Sequence, residues 1–238
     1  HALLQSQGVP FKGLRATSIN NITFSRIKEK AVEATRRLAK ERGEAPDIHG
    51  SNHRNSHLLA VAPNASSSII CGGTSPSIEP YRANVYTHKT LSGSYQVRNR
   101  FLEKLFKKKG LTIDEREKLW KQIAIENGSV QNVDILDEDE KDIFKTAPEI
   151  NQIYLVEHAH MRQEYICQSQ SVNLFFSMPK ATESQTVHDE YLQYVNDVHW
   201  YAMNKLKSLY YFRSDAARSA ENVNIKIPRV KLEDVECL

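Results

Sequence analysis

Residues 58–73 decide the fold, and they read Leu-Leu-Ala-Val-Ala-Pro-Asn-Ala-Ser-Ser-Ser-Ile-Ile-Cys-Gly-Gly. The first four form a short uninterrupted apolar run, which is typical of a strand buried on both faces. Pro63 lacks a backbone donor and ends such a strand, whereas Asn64, Ser66 and Ser67 are residue types that favour the start of a helix. We therefore predict a strand, a tight turn and a helix that begins near Ser66.

The predicted turn is also a candidate anion site. Free backbone N–H groups at a helix start carry partial positive charge, roughly half an elementary charge in total, so a phosphate is a natural ligand there. An ordinary strand-to-helix cap without a ligand has the same composition, and the residues alone leave both interpretations open. No Gly-Lys-Ser/Thr ending follows the turn, which excludes a Walker-type P-loop.

The composition of the chain is that of a soluble globular protein. Of the 238 residues, 26% are charged and 40% are hydrophobic, which is enough for a sizeable core. The net charge is only +3, and no block of lysine and arginine is dense enough to predict direct nucleic-acid binding. No run of about 18 apolar residues and no signal-like segment is present. We expect a cytoplasmic protein without membrane contact.

Cysteine and histidine spacing predicts neither disulfides nor a metal site. The three cysteines, Cys71, Cys167 and Cys237, lie far apart in the sequence, which argues against a disulfide framework. We expect Cys71 and Cys167 to be buried, inert thiols. His49 and His53 are four residues apart, but a proline and a glycine nearby argue against the shared helix face that a metal site needs.

Strands and helices alternate along the chain, which favours an α/β fold. Apolar residues at spacings of three and four predict the helices. Gly43 is expected to end the first of them, and capping boxes are predicted at Thr112 with Glu115 and at Thr182 with Gln185. The predicted helices cover residues 18 or 23 to 42, 101–109, 112–127, 137–146, 149–161 and 182–205. The predicted strands cover 58–61, 84–89, 165–166, 171–176 and 206–212, and a turn is expected at 92–94.

Two further features have competing interpretations. Glu79 lies between isoleucine and proline, where it is either a buried general base or, more commonly, a structural partner. Tyr210 and Tyr211 lie on the predicted strand 206–212. Because adjacent side chains of a strand point to opposite faces, the two phenols would link the two sides of a sheet, although packing is the default role of strand aromatics.

Several separated motifs, in the same order, resemble the C-terminal half of the large, catalytic subunit of aerobic (class I) ribonucleotide reductase. The motifs are residues 57–73, 77–80, 83–90, 128–131, 166–175 and 207–211. The resemblance implies that residues 1–220 form the C-terminal half of the ten-stranded α/β barrel with its surrounding helices. Residues 221–238 would be a flexible tail.

The resemblance also implies roles for individual residues. The diphosphate of the ribonucleotide substrate would be held by the turn residues Pro63, Asn64, Ala65, Ser66 and Ser67. Tyr210 and Tyr211 would relay a radical to the active-site cysteine. Cys237 would be one thiol of a tail that usually has two cysteines.

The resemblance places the remaining machinery outside this chain. The family's Asn-x-Cys-x-Glu loop, which carries the radical cysteine, has no match here. We therefore expect a split large subunit, of viral, phage or bacterial origin, in which an N-terminal companion chain supplies the catalytic cysteines and the sites for nucleotide effectors. A small subunit with a di-iron/tyrosyl centre would supply the radical and dock on helix 182–205, with thioredoxin or glutaredoxin as reductant. A non-catalytic scaffold that binds the small subunit is the alternative.

Overall fold

The computed structural model describes residues 1–90 and 93–215. The predicted tail, including Cys237, lies outside the described residues. Eight α-helices and four strands are found in the described part of the chain. The helices are α1 Ala2–Ser6, α2 Leu14–Arg42, α3 Ala65–Ile70, α4 Arg100–Lys108, α5 Ile113–Ile125, α6 Glu138–Ile143, α7 Gln152–Gln163 and α8 Gln185–Lys205. The strands are β1 Val85–Thr90, β2 Gly93–Arg98, β3 Leu174–Ser177 and β4 Phe212–Asp215.

Three extended segments run parallel to one another and form the sheet that matters for the site. Strand β3 pairs with β4, with Leu174 opposite Phe212. β3 ends the stretch of residues 168–177, which is called the central segment below. On its other side, Val61 forms a parallel bridge with Gln170. The predicted strand 58–61 is thus reduced to a single bridge. Its residues are partly exposed, not buried on both faces, because among the described residues only segment 168–171 lies beside it.

The strand predicted at 84–89 is found as β1, but two other strand predictions need correction. The strand expected at 206–212 begins only at Phe212. Of the strand expected at 165–166, Tyr165 lies in the turn after helix α7 and Ile166 has no regular structure. Of the turn expected at 92–94, position 92 lies outside the described residues. Gly93 and Ser94 already belong to strand β2, which pairs antiparallel with β1, with Gly93 opposite Thr90.

Helix boundaries follow the capping signals closely. Thr112 accepts a hydrogen bond from the backbone of Glu115, and the Glu115 side chain bonds back, so the predicted capping box is confirmed. Helix α2 ends at Gly43 as predicted but begins earlier, at Leu14. The cap predicted at Thr182 is wrong, because Ser184 accepts the bond from Val187 and helix α8 begins one residue later.

Three apolar clusters hold these elements together. The first joins α4 and α5 to β1 through fully buried Phe106 and Trp120. The second packs the N-terminal residues against Phe175 of β3. The third packs α7 and α8 on β3, with Val156, Leu174, Phe176, Val198 and Ala202 buried. Burial of each of the valine, leucine and phenylalanine side chains contributes about 1.5–3 kcal/mol, so the packing of α7 and α8 stabilises the parallel sheet.

A buried arginine fixes helix α2 and the central segment to helix α7. Arg162 donates from Nε to Gln170 Oε1 at 3.0 Å and from Nη1 to Asn20 Oδ1 at 3.1 Å. Gln170 in turn donates to the Ala159 carbonyl at 2.8 Å. Burial lowers the pKa of the Arg162 guanidinium to about 9, so the group stays charged at neutral pH. The position of Gln170, the bridge partner of Val61, is therefore set by hydrogen bonds to two residues of helix α7.

None of the helices in the described ranges is both long and apolar enough to cross a lipid bilayer.

Candidate functional site

The predicted anion site is a short exposed turn followed by the six-residue helix α3. Asn64 has left-handed backbone angles, φ 46° and ψ 26°, and the helix begins directly after it. The first backbone bond of the helix runs from Ser68 N–H to the Asn64 carbonyl at 3.0 Å. The N–H groups of Ala65, Ser66 and Ser67 therefore have no partner within the helix.

Side chains around the turn leave these donors open. Asn64 occupies the N-cap position, as its residue type favours, but its side chain makes no capping hydrogen bond. Ser66 and Ser67 are exposed, whereas Ser68 donates to its own helix, at the Ala65 carbonyl, at 2.6 Å. The turn thus has three backbone N–H groups without a partner in the helix and two exposed serines, the types of donor that bind a phosphate.

Hydrogen bonds on both sides anchor the turn. Val61 N–H donates to the Ser169 carbonyl at 3.1 Å, and Ser171 N–H donates to the Val61 carbonyl at 2.8 Å. After the helix, the Ser77 hydroxyl donates to the Ala62 carbonyl at 2.7 Å. A cleft of about 310 Å³ opens beside the turn. Its lining includes Asn64, Ser77 and the side chains of Phe24 and Ile27 from helix α2, which the sequence did not connect with the site.

Tyr210 and Tyr211 lie immediately before β4, on the far side of the central segment. Tyr210 N–H donates to the Val172 carbonyl at 2.9 Å, and Leu174 N–H donates to the Tyr211 carbonyl at 3.0 Å. Each residue is about half exposed, with 51% and 52% of its surface accessible.

The expected placement of these phenols on opposite faces is wrong. Their ring centroids are 4.2 Å apart and the ring planes are inclined by 54°. The regular ladder is interrupted at Tyr211, because its N–H donates to the Asn173 side chain and not to a β3 carbonyl. The hydrogen bond between the phenols, together with their mutual repulsion on ionisation, raises the pKa of Tyr210. Tyr210 is therefore a neutral phenol at pH 7.

A buried polar cluster lies behind the tyrosines. Asn173 donates to the Glu79 carboxyl through a short hydrogen bond, and it accepts from Tyr211 N–H at 3.0 Å. The Arg213 guanidinium lies 5.3 Å from the centre of the Tyr211 ring. Burial raises the pKa of Glu79, against the opposing effects of the Asn173 hydrogen bond and the charges of Arg213 and Arg82. Of the two interpretations of Glu79, these contacts favour the structural partner.

Sequence reasoning assigned no role to Asn173 or Arg213. Asn173 was part of the motif 166–175, and the available signal was a lone amide in an apolar strand. Arg213 follows the tyrosines by two residues, and nothing in its sequence neighbourhood indicated contact with an aromatic ring.

The two cysteines in the described part of the chain are both exposed, so the expectation of buried thiols is wrong. Burial of the Cys167 thiol opposes ionisation, but backbone N–H groups of Leu58 and Leu59 outweigh it and lower the pKa. Cys237 lies outside the described residues. Among those described, no group of three or more histidine, cysteine or acidic side chains could hold a metal ion.

The sequence profile of a family described as "Ribonucleotide reductase, barrel domain" matches residues 45–212. This range contains the turn, the central segment and both tyrosines. The chain belongs to the ribonucleotide reductase large-subunit family. The expected α/β barrel class is thereby confirmed.

Relatives of known name agree with this assignment. A ribonucleoside-diphosphate reductase large subunit of Invertebrate iridescent virus 3 is 43% identical over 225 residues, which make up 94% of this chain and 34% of the viral protein. The one from Invertebrate iridescent virus 6 is 38% identical over 226 residues, covering 94% of this chain and 22% of that protein.

A solved relative has the same fold. The chain superposes on an Actinobacillus ureae class Id ribonucleotide reductase alpha subunit with a TM-score of 0.71 and 36% identity. The match covers 90% of this chain and 37% of that subunit. This ribonucleotide reductase chain thus spans only between 22% and 37% of the length of these relatives.

Proposed function

We propose that this chain is part of a ribonucleoside-diphosphate reductase, in which it supplies the substrate-phosphate turn and the inner end of the radical path. The reaction converts a ribonucleoside diphosphate to the deoxyribonucleoside diphosphate: two thiols are oxidised to a disulfide, and the 2′-oxygen leaves as water. Family membership supports the reaction class, and the geometry of the turn and the tyrosines supports the two roles.

One observation carries the proposal. The central segment pairs with Val61, which leads into the turn, on one side, and with Tyr210 and Tyr211 on the other. The proposed phosphate donors and the tyrosine pair are therefore attached to neighbouring positions of one parallel sheet. A substrate held by its diphosphate and a radical delivered to its ribose need such a shared framework, because reacting groups must be held in register.

The turn suits a diphosphate through backbone donors. Three N–H groups without a partner in the helix and the hydroxyls of Ser66 and Ser67 lie at the start of α3, and the partial positive charge of a helix start favours an anion. No lysine takes part in the proposed contact. Pro63, Asn64 and Ala65 contribute by shaping the turn, since the left-handed Asn64 directs the following N–H groups outward.

The tyrosine pair suits stepwise radical transfer. In each step a phenol gives up its hydrogen atom and later takes one back, so the pair is unchanged after a full cycle. Rings with centroids 4.2 Å apart are in van der Waals contact, and exposure of both rings leaves room for a partner on the outer side and a cysteine on the inner side.

Other parts of the reductase must supply what this sequence lacks. The whole sequence has three cysteines and no Asn-x-Cys-x-Glu loop, so the radical cysteine, its reducing pair and the effector sites are assigned to the N-terminal part of the large subunit, as a companion chain. The di-iron/tyrosyl small subunit supplies the radical. Cys237 acts with thioredoxin or glutaredoxin in re-reduction, and this thiol chemistry suits a reducing, cytoplasmic setting.

Helix α8 is the proposed docking element for the small subunit. Its outer face exposes Leu192, Trp200 and Met203 to 60–66% of their surface, and exposed apolar side chains on one helix favour a protein partner. The same observation favours the second candidate function, a non-catalytic scaffold that binds the small subunit without contributing to turnover.

Reduction of a ribonucleoside diphosphate by this chain, mixed with the small subunit and with or without the N-terminal part, separates the two functions. We expect turnover only in the complete mixture. Binding of the small subunit without turnover in any mixture would support the scaffold and remove the radical role from Tyr210 and Tyr211.

A further inference from the structure

Asn173 lies buried between an acidic side chain and the tyrosine pair. The residue is only 3% exposed, and Glu79 beside it is 8% exposed. Asn173 Nδ2 donates to Glu79 Oε1, and Asn173 Oδ1 accepts from the backbone N–H of Tyr211 at 3.0 Å. The three residues form a chain of hydrogen bonds that runs from the loop after helix α3 to the segment before β4.

Glu79 dictates which way the Asn173 amide points. An amide side chain has a donor end and an acceptor end, and Glu79 Oε1 is the acceptor in its hydrogen bond with Asn173 Nδ2. The carboxylate therefore requires the amide NH₂ group, which leaves the amide oxygen facing Tyr211. In that orientation the amide oxygen can accept a hydrogen bond from the Tyr211 backbone N–H, which can only donate. An apolar residue at position 79 would remove this requirement.

The positions of the two tyrosine rings depend on the hydrogen bond between Asn173 and the Tyr211 backbone, because packing holds these rings less tightly than it holds a core side chain. Both rings are half exposed, so packing restrains them weakly, and their contact follows from how the backbone enters β4. The Asn173 bond replaces a regular ladder bond at Tyr211, which is where the two rings turn toward each other. The positive charge of Arg213, placed over the Tyr211 ring, attracts the Glu79 carboxylate behind it.

We propose that Glu79 is a positioning residue which, through Asn173, sets the geometry of the Tyr210–Tyr211 pair. The inference rests on the proposed function for its catalytic meaning, while the geometry that it describes is measurable without turnover.

The test reverses the polarity of the hydrogen bond between positions 79 and 173. Asn173→Asp places two carboxyl groups against each other and breaks the chain. Adding Glu79→Gln restores it, because the glutamine NH₂ donates to the new aspartate, whose second oxygen accepts from Tyr211 N–H. Glu79→Gln alone keeps an acceptor for Asn173 and serves as the matched control. Glu79→Leu removes the acceptor without adding charge.

The first measurement is the ¹⁹F NMR spectrum of the chain with 3-fluorotyrosine at position 210, in complex with the N-terminal part of the large subunit. We expect a displaced or broadened resonance in Asn173→Asp and Glu79→Leu, and a resonance at the wild-type position in Glu79→Gln and in the double variant. A resonance in the double variant that stays where Asn173→Asp puts it would overturn the inference. An unchanged resonance in Glu79→Leu would also overturn the inference. This variant provides the test if Asn173→Asp does not fold.

The second measurement is turnover in the complete reductase mixture. Because a displacement of about 1 Å can cost about 10²-fold in rate, we expect a loss of that order in Asn173→Asp and its recovery in the double variant, with KM for the nucleotide unchanged. If the NMR pattern holds but Tyr210 and Tyr211 prove dispensable for turnover, the proposed function fails and the positioning inference stands. If Tyr210 and Tyr211 prove essential for turnover but the NMR pattern fails, the positioning inference fails and the proposed function stands.

Discussion

The rings of Tyr210 and Tyr211 are in contact, with centroids 4.2 Å apart and planes inclined by 54°. Two consecutive residues of a regular strand would place their rings on opposite faces. The contact arises because β4 begins only at Phe212 and the Tyr211 N–H is bound by the Asn173 side chain. The pair is thus a local deviation from strand geometry that brings two phenols together.

Removing either phenol should stop turnover without disturbing assembly. Tyr210→Phe and Tyr211→Phe keep the ring and its packing and lose only the hydroxyl. We expect no measurable reduction of a ribonucleoside diphosphate in the complete mixture, with binding to the small subunit retained. Tyr95→Phe, at a tyrosine of similar exposure on the hairpin, is the control and should keep full turnover. Retained turnover in either variant of the pair would disprove the relay.

Loss of a turn hydroxyl should weaken substrate binding modestly. Ser66→Ala and Ser67→Ala each remove one hydrogen bond, worth about 1 kcal/mol, which is about a fivefold increase in Kd. The measurement is equilibrium binding of a nucleoside diphosphate to the assembled large subunit. Ser68→Ala is the matched control, because Ser68 already donates to Ala65 and should leave Kd unchanged. Equal losses in all three variants would point to a helix defect and not to lost ligand contacts.

Gly128→Ala should be strongly destabilising. A Cβ at Gly128 would lie 2.4 Å from the Ala83 Cβ and 2.8 Å from its Cα, and the backbone φ of +87° adds strain. Overpacking and a positive φ each cost about 1–3 kcal/mol, so we expect a loss of about 3 kcal/mol or more in denaturant unfolding. Gly110→Ala has φ +80° but nothing within 4 Å, and it should lose only about 1 kcal/mol. Similar losses at the two sites would refute the steric argument.

Stability should fall on acidification because of His158. Burial, and then the charge of Arg162, lower its pKa to about 4, whereas the unfolded-state value is about 6.5. Between these values the unfolded state binds more protons, so the free energy of unfolding decreases as pH falls from about 6.5 to about 4, by about 3 kcal/mol in total. The measurement is denaturant unfolding at several pH values.

A non-titrating residue at position 158 should flatten this dependence. His158 Nε2 lies 3.0 Å from the Phe11 carbonyl, and the glutamine of His158→Gln can donate to the same oxygen. We expect the variant to lose most of the slope between about pH 6.5 and about pH 4 while keeping much of its stability near neutrality. An unchanged slope would assign the acid sensitivity to other groups.

Local signals in the sequence predicted local structure well. Thr112 and Glu115 carry a complete capping box, and the glycine at position 43 marks the end of helix α2, because the donors and backbone angles concerned lie within a few residues. The turn after Ala62 was predictable for the same reason. Its proline and small polar residues restrict the backbone conformations of the turn, and this restriction does not depend on contacts with the rest of the chain.

Features that depend on distant partners could not be predicted. The apolar run before the tyrosines was interpreted as a strand, but Leu206 and Leu209 pack on the cluster of α7, α8 and β3, and the strand starts after them. The pairing of Asn173 with Glu79 joins residues 94 positions apart. A single amide among apolar neighbours indicates that some partner exists, and the sequence provides no means of choosing it.

The isolated chain should self-associate. Strand β4 pairs with β3 on one edge only within the described ranges, and the aromatic side chains of Tyr210, Tyr211 and Phe212 beside that open edge are about half exposed. Unpaired strand edges with apolar side chains promote association with other chains. We therefore expect light scattering of the purified chain to show aggregates, and a monodisperse complex once the N-terminal part of the large subunit is added.

A charge on the edge strand tests whether β4 is the cause. Ser214 is an exposed residue of β4, and Ser214→Lys adds the type of side chain that natural edge strands use against pairing. We expect the variant to scatter less than the wild type on its own, because a lysine disfavours a second strand at that edge. Lys180→Ser, at an exposed position away from the sheet edge, should have no such effect. If the wild-type chain is monomeric on its own, the open edge of β4 does not cause self-association. The proposal of a companion chain would then rest only on the missing catalytic cysteines.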